Sequence, residues 1–291
     1  MASDCNMRRT FITSIAAAGA ALLGGCSPLR VLNGLIPSEH YRRVRDLAYG
    51  EGPRRSLDIY RPEPAITNAP VVVFFYGGNW NSGKKEDYLF VGEALASRGF
   101  VTVVPDYRLY PEVRYPDFLD DSAQAVRYAI EHARDHGGDP GRLLLMGHSA
   151  GAYNAAMLAL EPEYLRKAGV KAGTVCGLIG LAGPYDFLPL DNDNTRGIFG
   201  YPDTPLSTQP IQHVTKEAPP TLLLKATEDD VVNPGNSTRL AARLRDNKVP
   251  VKEISYPSLG HRTIIGAMAT PLRRLAPVLD DVTAFMNSNS G

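Results

Sequence analysis

The chain has 291 residues, of which 44% are hydrophobic and 8% aromatic, and this is enough to bury the core of one large domain. Its 31 basic residues equal its 31 acidic residues, so no excess of positive charge predicts binding to nucleic acid or to an anionic surface. We therefore expect one globular domain with no nucleic-acid partner.

The N-terminal residues differ in composition from the rest of the chain. Arg8 and Arg9 precede an apolar run from Phe11 to Leu23, and small residues and Cys26 follow it. This order is typical of a secretory signal, and the run is shorter than the roughly 20 apolar residues that span a bilayer as a helix. Residues 1–26 are therefore interpreted as a signal peptide.

Leu23-Gly24-Gly25-Cys26 resembles the lipobox of bacterial lipoproteins. That resemblance implies lipidation of Cys26 and an exported protein held on a membrane, facing the periplasm or the cell exterior. The alternative is an ordinary cleaved signal in which Cys26 has no role, and the choice between Sec and twin-arginine export stays open. Cys176 lies in an apolar run, which predicts a buried small side chain. Removal of the signal leaves only Cys26 and Cys176, so no disulfide framework is expected.

Residues 27–56 are interpreted as a linker and entry segment, and residues 57–291 as the folded domain. In the domain, β-branched and apolar runs alternate with segments of helical periodicity, which predicts an α/β fold with a mostly parallel sheet and helices on both faces. The predicted strands are 57–60, 71–76, 100–104, 143–146, 175–181, 221–226 and 251–256, and the predicted helices are 85–98, 117–134, 150–160, 237–246 and 271–286. Residues 183–220 break the pattern and are interpreted as a lid-like insertion.

Gly147-His148-Ser149-Ala150-Gly151 matches the G-x-S-x-G nucleophile elbow. The chemistry needs the serine on a sharp turn between a strand and a helix, with small neighbours that let the backbone approach. The strand at 143–146 and the helix at 150–160 supply this context. Ser149 is therefore the predicted nucleophile, and a tight turn without chemistry is the alternative.

A serine hydroxyl needs an adjacent base, which is usually histidine, and an acid that orients this base. In enzymes with this elbow, the partners follow in the order serine, acid, histidine. Only His213 and His261 follow Ser149, and only His261 also follows the acidic residues after the strand at 221–226. His261 is the predicted base, and His213 is expected at the surface.

The negative oxygen of an acyl-transfer intermediate needs preformed hydrogen-bond donors. One is expected to be the backbone N–H of Ala150, and the others come from the loop after an early strand. Tyr76-Gly77-Gly78-Asn79-Trp80 occupies that place, so the amides of Gly78 and Asn79 are the predicted donors. Glycines that merely end a strand are the alternative.

Residues 57–286 resemble the esterase and lipase branch of the α/β-hydrolase superfamily, which includes bacterial carboxylesterases and kynurenine-formamidase-like enzymes with an H-G-G-x-W loop. The likeness extends to Val104-Pro105-Asp106-Tyr107-Arg108-Leu109 and to Gly183-Pro184-Tyr185-Asp186. It implies that Asp106 and Arg108 hold the loop behind the oxyanion donors. The family stretch G-x-x-D-x-x-V-x-P, aligned on residues 226–234, implies that the acid is Asp229 and not Asp230.

Two departures from the family pattern stand out, since Tyr76 replaces the loop histidine and Lys225-Ala226 replaces His-Gly before the acid. The resemblance implies hydrolysis of a small or medium carboxylic ester through an acyl-enzyme. An amidase or formamidase of the same fold, and a non-catalytic membrane-tethered lipoprotein, are the alternatives. No metal and no cofactor is expected, because the sequence has no Walker loop and no cluster of Cys and His.

Overall fold

The structure is a computed structural model that describes residues 28–290. The predicted signal peptide and Cys26 lie outside these described residues. Within residues 28–290, no helix combines the length and the apolar character that crossing a bilayer requires.

Eight strands of the described chain form one sheet in the order β1-β2-β4-β3-β5-β6-β7-β8. Their bounds are β1 Tyr41–Ala48, β2 Ser56–Pro62, β3 Ala69–Phe75, β4 Val101–Pro105, β5 Gly138–His148, β6 Val175–Leu181, β7 Thr221–Ala226 and β8 Val251–Tyr256. Strands β3 to β8 are parallel, and β2 and β1 extend one edge by antiparallel pairing. Every residue of β3 and β4 is buried, as expected of strands with both faces covered.

The helices are α1 Pro28–Gly34, α2 Leu89–Ala96, α3 Asp117–His132, α4 Ala150–Leu160, α5 Pro162–Lys167, α6 Asp193–Phe199, α7 Gly235–Asp246, α8 His261–Gly266 and α9 Val278–Asn289. Helices α2 and α9 pack together, and α3, α4 and α5 form a second group. Short 3₁₀ helices cover Lys85–Tyr88, Ala133–His136, Leu206–Thr208, Pro210–His213 and Thr270–Leu275. The predicted α/β fold with a mostly parallel sheet is confirmed.

The segment interpreted as a linker and entry segment contains α1 and the edge strand β1. Strand β1 carries charged side chains at four of its central positions and has only exposed or half-buried residues, so it lacks the apolar alternation that indicates a strand. A break in register between Val44 and Leu47 disturbs the pattern further. Pairing with β2 therefore defines β1.

Cys176 is half-buried, and its thiol donates to the carbonyl of Gly141 at 3.3 Å. The prediction of a buried side chain is wrong because β6 enters the core only from Gly177 onward. The insertion, residues 183–220, holds α6 and two of the 3₁₀ helices and is otherwise irregular, as its sequence predicts.

The order of the strands places two loops side by side at the centre of the sheet. The chain passes from β3 to β4 on one side and then crosses to β5 on the other side of β3. Ligands of open α/β sheets bind at such a reversal, outside the carboxyl ends of the strands. The loop after β3 and the turn after β5 meet there.

Candidate active site

Ser149 occupies the turn between β5 and α4 with φ 55° and ψ −126°, a conformation that non-glycine residues rarely adopt. Its backbone N–H donates to the carbonyl of Leu181 at 2.9 Å. A Cβ at Gly147 would overlap the backbone of Gly151, and one at Gly151 would overlap the carbonyl of Phe75. The two motif glycines therefore permit the close backbone contacts on which this turn depends.

Ser149, His261 and Asp229 form one hydrogen-bonded chain. The Nε2 atom of His261 lies 2.8 Å from the Oγ of Ser149, and its Nδ1 lies 2.9 Å from the Oδ2 of Asp229. His261 is the first residue of α8, after a loop from β8, and Asp229 follows β7. Three separate loops thus place the predicted nucleophile, base and acid in contact.

The Asp229 carboxylate is held by more than the imidazole. Its side chain is only 1% exposed, and its Oδ1 accepts the backbone N–H groups of Val231 at 2.9 Å and Val232 at 2.8 Å. Burial alone would raise the pKa of this carboxyl, but the hydrogen bonds from His261 and from the two amides outweigh burial and lower the pKa. Asp229 is therefore suited to remain ionised beside an imidazolium.

The other candidates for acid and base lie elsewhere. Asp230 and Glu228 are exposed, and the side chain of neither forms a hydrogen bond or an ion pair with His261. His213 lies in the insertion, where its Nδ1 is 2.7 Å from the Glu161 carboxylate and its Nε2 is 2.7 Å from the carbonyl of Ser207. His213 is half-buried, which differs from the expected surface position, and it contacts the residue that caps the N-terminus of α5.

His148 is a site residue that the motif does not reveal, because it occupies a variable position of the elbow. Its Nε2 lies 2.9 Å from the carbonyl oxygen of His261, and the two rings are 4.9 Å apart. Burial, and secondarily the charge of His261, lowers the pKa of His148 to about 3. A neutral imidazole at position 148 therefore donates from Nε2 to the backbone of His261.

The β3 loop, residues 76–84, runs beside the elbow. Gly77 is so close to Ser149 that a Cβ on this glycine would lie 2.8 Å from the serine Cβ. Gly78, Asn79 and Trp80 have φ values of 140°, 56° and 57°. Within residues 28–290, the amides of Gly78, Asn79 and Ala150 donate to no protein group. These three amides are available to a ligand.

Tyr76, which replaces the family histidine, fixes the base of the β3 loop. Its hydroxyl donates to Asp106 Oδ1 at 2.7 Å and accepts from Arg54 at 2.7 Å, and its carbonyl accepts from the hydroxyl of Tyr107 at 2.8 Å. Asp106 also accepts the N–H of Lys85 at 2.9 Å. Burial raises the pKa of both Asp106 and Tyr76.

The two residues of the D-Y-R-L stretch therefore have different roles. Asp106 contacts the β3 loop, as the family resemblance implies. Arg108 instead forms a two-pronged ion pair with the buried Asp121 on α3, at 2.8 and 2.9 Å. Lys225, at the second departure, pairs with Glu253 of the neighbouring strand at 2.6 Å.

Ser149 opens into a cleft of about 260 Å³. One wall of the cleft is formed at the carboxyl ends of the strands by Asn79, Trp80 and Ala150. Residues of the insertion and of the segment after Asp229 form the other walls. Trp80 is 2% exposed, and its Nε1 donates to Asn154 at 3.0 Å. Tyr201, the other aromatic considered for the pocket, is 57% exposed and lies outside the cleft lining. Among residues 28–290, no three Cys, His, Asp or Glu side chains cluster as metal ligands.

Comparison with known families gives a match to the BD-FAE family model over residues 57–244, which is well over half of the chain. The chain belongs to the BD-FAE family. The matched region includes the β3 loop, the elbow and Asp229, while His261 lies beyond it.

Curated relatives of this BD-FAE chain carry esterase names. It is 27% identical over 277 residues to a probable isoprenylcysteine alpha-carbonyl methylesterase of Arabidopsis thaliana, which covers 86% of this chain and 58% of that protein. It is 27% identical over 275 residues to Esterase LipC of Mycobacterium tuberculosis, covering 87% of this chain and 67% of the relative. The chain thus spans little more than half the length of the plant protein.

Solved structures share the fold at low identity. An inhibited form of Esterase B of Lactobacillus rhamnosis superposes with a TM-score of 0.75 at 19% identity, covering 98% of this chain and 96% of the other. An esterase of Pyrobaculum calidifontis superposes with a TM-score of 0.71 at 21% identity, covering 89% and 88%. These similarities establish the α/β-hydrolase fold.

Proposed function

We propose that the chain is a serine carboxylesterase that hydrolyses a small or medium ester through an acyl-enzyme. The observation that carries the proposal is the hydrogen-bonded chain from Ser149 through His261 to Asp229, whose serine faces an open cleft. The esterase names of the relatives in two kingdoms support the same choice.

In this proposal, Ser149 attacks the ester carbonyl while Nε2 of His261 takes its proton. Asp229 accepts the Nδ1 proton throughout, so that the imidazole keeps the correct tautomer and the imidazolium is stabilised. The amides of Gly78, Asn79 and Ala150 donate to the oxyanion. His261 returns the proton to the leaving alcohol, and a water molecule then repeats the steps on the acyl-enzyme.

A fluorophosphonate probe and a series of p-nitrophenyl esters test the proposal. We expect the probe to label the folded protein, and Ser149→Ala to abolish both labelling and ester hydrolysis. The conservative variant Ser207→Ala, on the insertion, is the matched control and should retain both. Labelling that persists in Ser149→Ala would contradict the role of this serine.

The same three residues can also cleave amides, so the substrate bond needs a direct comparison. Assays of p-nitrophenyl acetate beside N-formylkynurenine distinguish the two activities. We expect ester hydrolysis to dominate. Turnover of the formamide alone would replace the esterase proposal with a formamidase, and a correctly folded protein inactive on both, without probe labelling, would favour the non-catalytic lipoprotein.

We also propose that the protein is exported and anchored through a lipid on Cys26. This proposal rests on the basic, apolar and small-residue order of residues 1–26. Growth with an alkynyl fatty acid, followed by click detection, should label the wild-type protein and Cys176→Ser but not Cys26→Ser. Equal labelling of the two cysteine variants would contradict lipidation at Cys26.

A further inference from the structure

The β3 loop adopts an unfavourable backbone conformation next to the nucleophile. Asn79 and Trp80 are consecutive non-glycine residues with φ near 56°, and Asn79 is exposed. Such residues are strained and keep this conformation only where surrounding contacts impose it. The hydrogen bonds that the carbonyl groups of the loop accept identify the contacts that impose this conformation.

Each carbonyl at the bend has a partner. The Gly78 carbonyl accepts from the loop's own Asn81 and Ser82 amides, and the Trp80 carbonyl accepts the N–H of Tyr110 at 2.8 Å. The Asn79 carbonyl, between them, accepts from the side chain of Asn194 at 2.9 Å. This partner is 115 residues away in sequence and belongs to α6 of the insertion.

Asn194 contacts the loop twice. Its Nδ2 donates to the Asn79 carbonyl, and its Oδ1 accepts from Nδ2 of Asn81 at 2.7 Å. The orientation of this amide is fixed because a carbonyl oxygen can only accept, so the nitrogen must face Asn79. One side chain thus connects two positions of the bend.

We propose that Asn194 is a positioning residue, which holds the Asn79–Trp80 peptide so that the Asn79 amide stays directed at the oxyanion. Without this bond, the Asn79–Trp80 peptide can rotate to relieve the positive φ of Trp80. Its rotation also removes the restraint on the adjacent Gly78–Asn79 peptide, which carries the N–H of Asn79. The inference rests on the proposed esterase function for its catalytic consequence. Its structural part, a loop clamped by the insertion, is independent of that function.

The clamp also connects the oxyanion donors to the substrate cleft. Asn192 and Thr195, on either side of the clamping residue, line the cleft that contains Ser149. A substrate that contacts these side chains therefore contacts the helix that holds the β3 loop. Helix α6 of the insertion therefore contacts both the substrate cleft and the loop that carries two of the proposed oxyanion donors.

Two neighbouring substitutions separate the clamp from the stability of α6. Asn194→Asp keeps the acceptor for Asn81 but loses the donor to the Asn79 carbonyl, while its new charge in the first turn favours the helix. Asp193→Asn, at a side chain that is 100% exposed, removes a charge from the same turn and leaves the clamp intact. A role limited to helix stability would make Asp193→Asn the more harmful change.

The experiment measures kcat and KM on p-nitrophenyl acetate, and amide hydrogen exchange of peptides covering residues 77–84. Loss of an oxyanion donor lowers kcat about 10²–10³-fold, so its displacement in Asn194→Asp should lower kcat by about tenfold with little change in KM. Exchange in residues 77–84 should become faster. Asp193→Asn should match the wild type in both measurements.

Unchanged exchange of the loop in Asn194→Asp would overturn the clamp, and faster exchange with an unchanged kcat would overturn its positioning role. A wild-type enzyme inactive on every ester would contradict the esterase proposal instead. The exchange measurement would still decide whether Asn194 holds the loop.

Discussion

The nucleophile elbow and the β3 loop lie side by side, yet they are held in place by different forces. At the elbow, Gly147 and Gly151 let backbone segments pack at distances that exclude any side chain. At the β3 loop, hydrogen bonds of Tyr76 with Arg54 and Asp106 hold the base, and a hydrogen bond from Asn194 holds the strained bend. Packing therefore fixes the nucleophile, and distant polar side chains fix the proposed oxyanion donors.

This difference predicts different responses to substitution. A packing contact fails abruptly, because overlapping backbone atoms must move. A hydrogen-bond network fails gradually, because each neutral bond contributes only about 0.5–1.5 kcal/mol and the others remain. Variants of the elbow should therefore lose the fold and activity together, whereas variants of the loop should lose mainly activity.

Gly151→Ala, at the elbow, should have the largest effect on the protein. The new methyl group would overlap the Phe75 carbonyl, so we expect a loss of at least about 3 kcal/mol in the free energy of unfolding, with loss of fluorophosphonate labelling. Urea unfolding measures the free energy of unfolding, and in-gel fluorescence measures the labelling by the fluorophosphonate probe. Gly34→Ala, at a position with open space around it, is the control. Wild-type stability in Gly151→Ala would show that packing does not govern the elbow.

Asp229→Asn should abolish most activity without a comparable loss of stability. The amide cannot act as an ionised acceptor for Nδ1–H of His261, so we expect kcat to fall by about 10⁴-fold. Asp230→Asn, one residue away and exposed, should keep wild-type kcat. Steady-state assays on p-nitrophenyl acetate compare the two. If both substitutions reduced kcat equally, the assignment of the acid would fail.

The same contrast explains what the sequence could predict. The elbow is encoded within five consecutive residues, and a buried strand and an alanine-rich helix flank it, so its place in the fold follows from local pattern. The order of the chain then leaves His261 as the base, and the structure brings it to Ser149. Asp229 needed the family register, because three adjacent acidic residues offer the same chemistry.

The rest depends on contacts between residues far apart in the chain. Asn194 lies in an irregular segment without periodicity, and nothing in the sequence connects it to Asn79. His148 occupies a position that the elbow motif leaves open, so its bond to the His261 carbonyl was not predictable. Strand β1 was missed for a related reason, since its charged edge residues become a strand only through pairing with β2.

His148 connects the elbow to the backbone of His261 by a hydrogen bond, and it should make the free energy of unfolding depend on pH. Its pKa is lowered from 6.5 to about 3, so between these values the unfolded chain binds a proton that the folded protein does not. Stability contributed by the neutral ring is therefore full above pH 6.5 and falls, by up to about 1.4 kcal/mol per pH unit, as the pH decreases toward 3.

His148→Gln keeps a side-chain donor for the His261 carbonyl but does not titrate. Urea unfolding at pH 4, 5, 6 and 7 should therefore show a shallower loss of stability toward acid than in the wild type. His40→Gln, at an exposed histidine, should leave the wild-type slope unchanged. Equal slopes in His148→Gln and the wild type would mean that His148 does not resist protonation.

Tyr76→Phe should have the smallest effect, since it removes one bond from the network that holds the β3 loop. Asp106 loses the hydroxyl of Tyr76 but keeps the Lys85 amide and the Arg54 guanidinium, which is 3.8 Å away. We expect a loss of about 1 kcal/mol in unfolding free energy and less than about a tenfold loss in kcat. Tyr88→Phe is the matched control, because that hydroxyl makes only a 3.5 Å contact with the Gly77 carbonyl.

The two tyrosine variants then sharpen the difference between elbow and loop. Both rings are buried and stack on each other at 5.5 Å, so removal of either hydroxyl leaves the apolar packing in place. If polar bonds hold the loop, Tyr76→Phe should lower kcat more than Tyr88→Phe, in assays at equal folded concentration. Equal kcat values would instead assign the loop's position to aromatic packing, and the loop would then resemble the elbow.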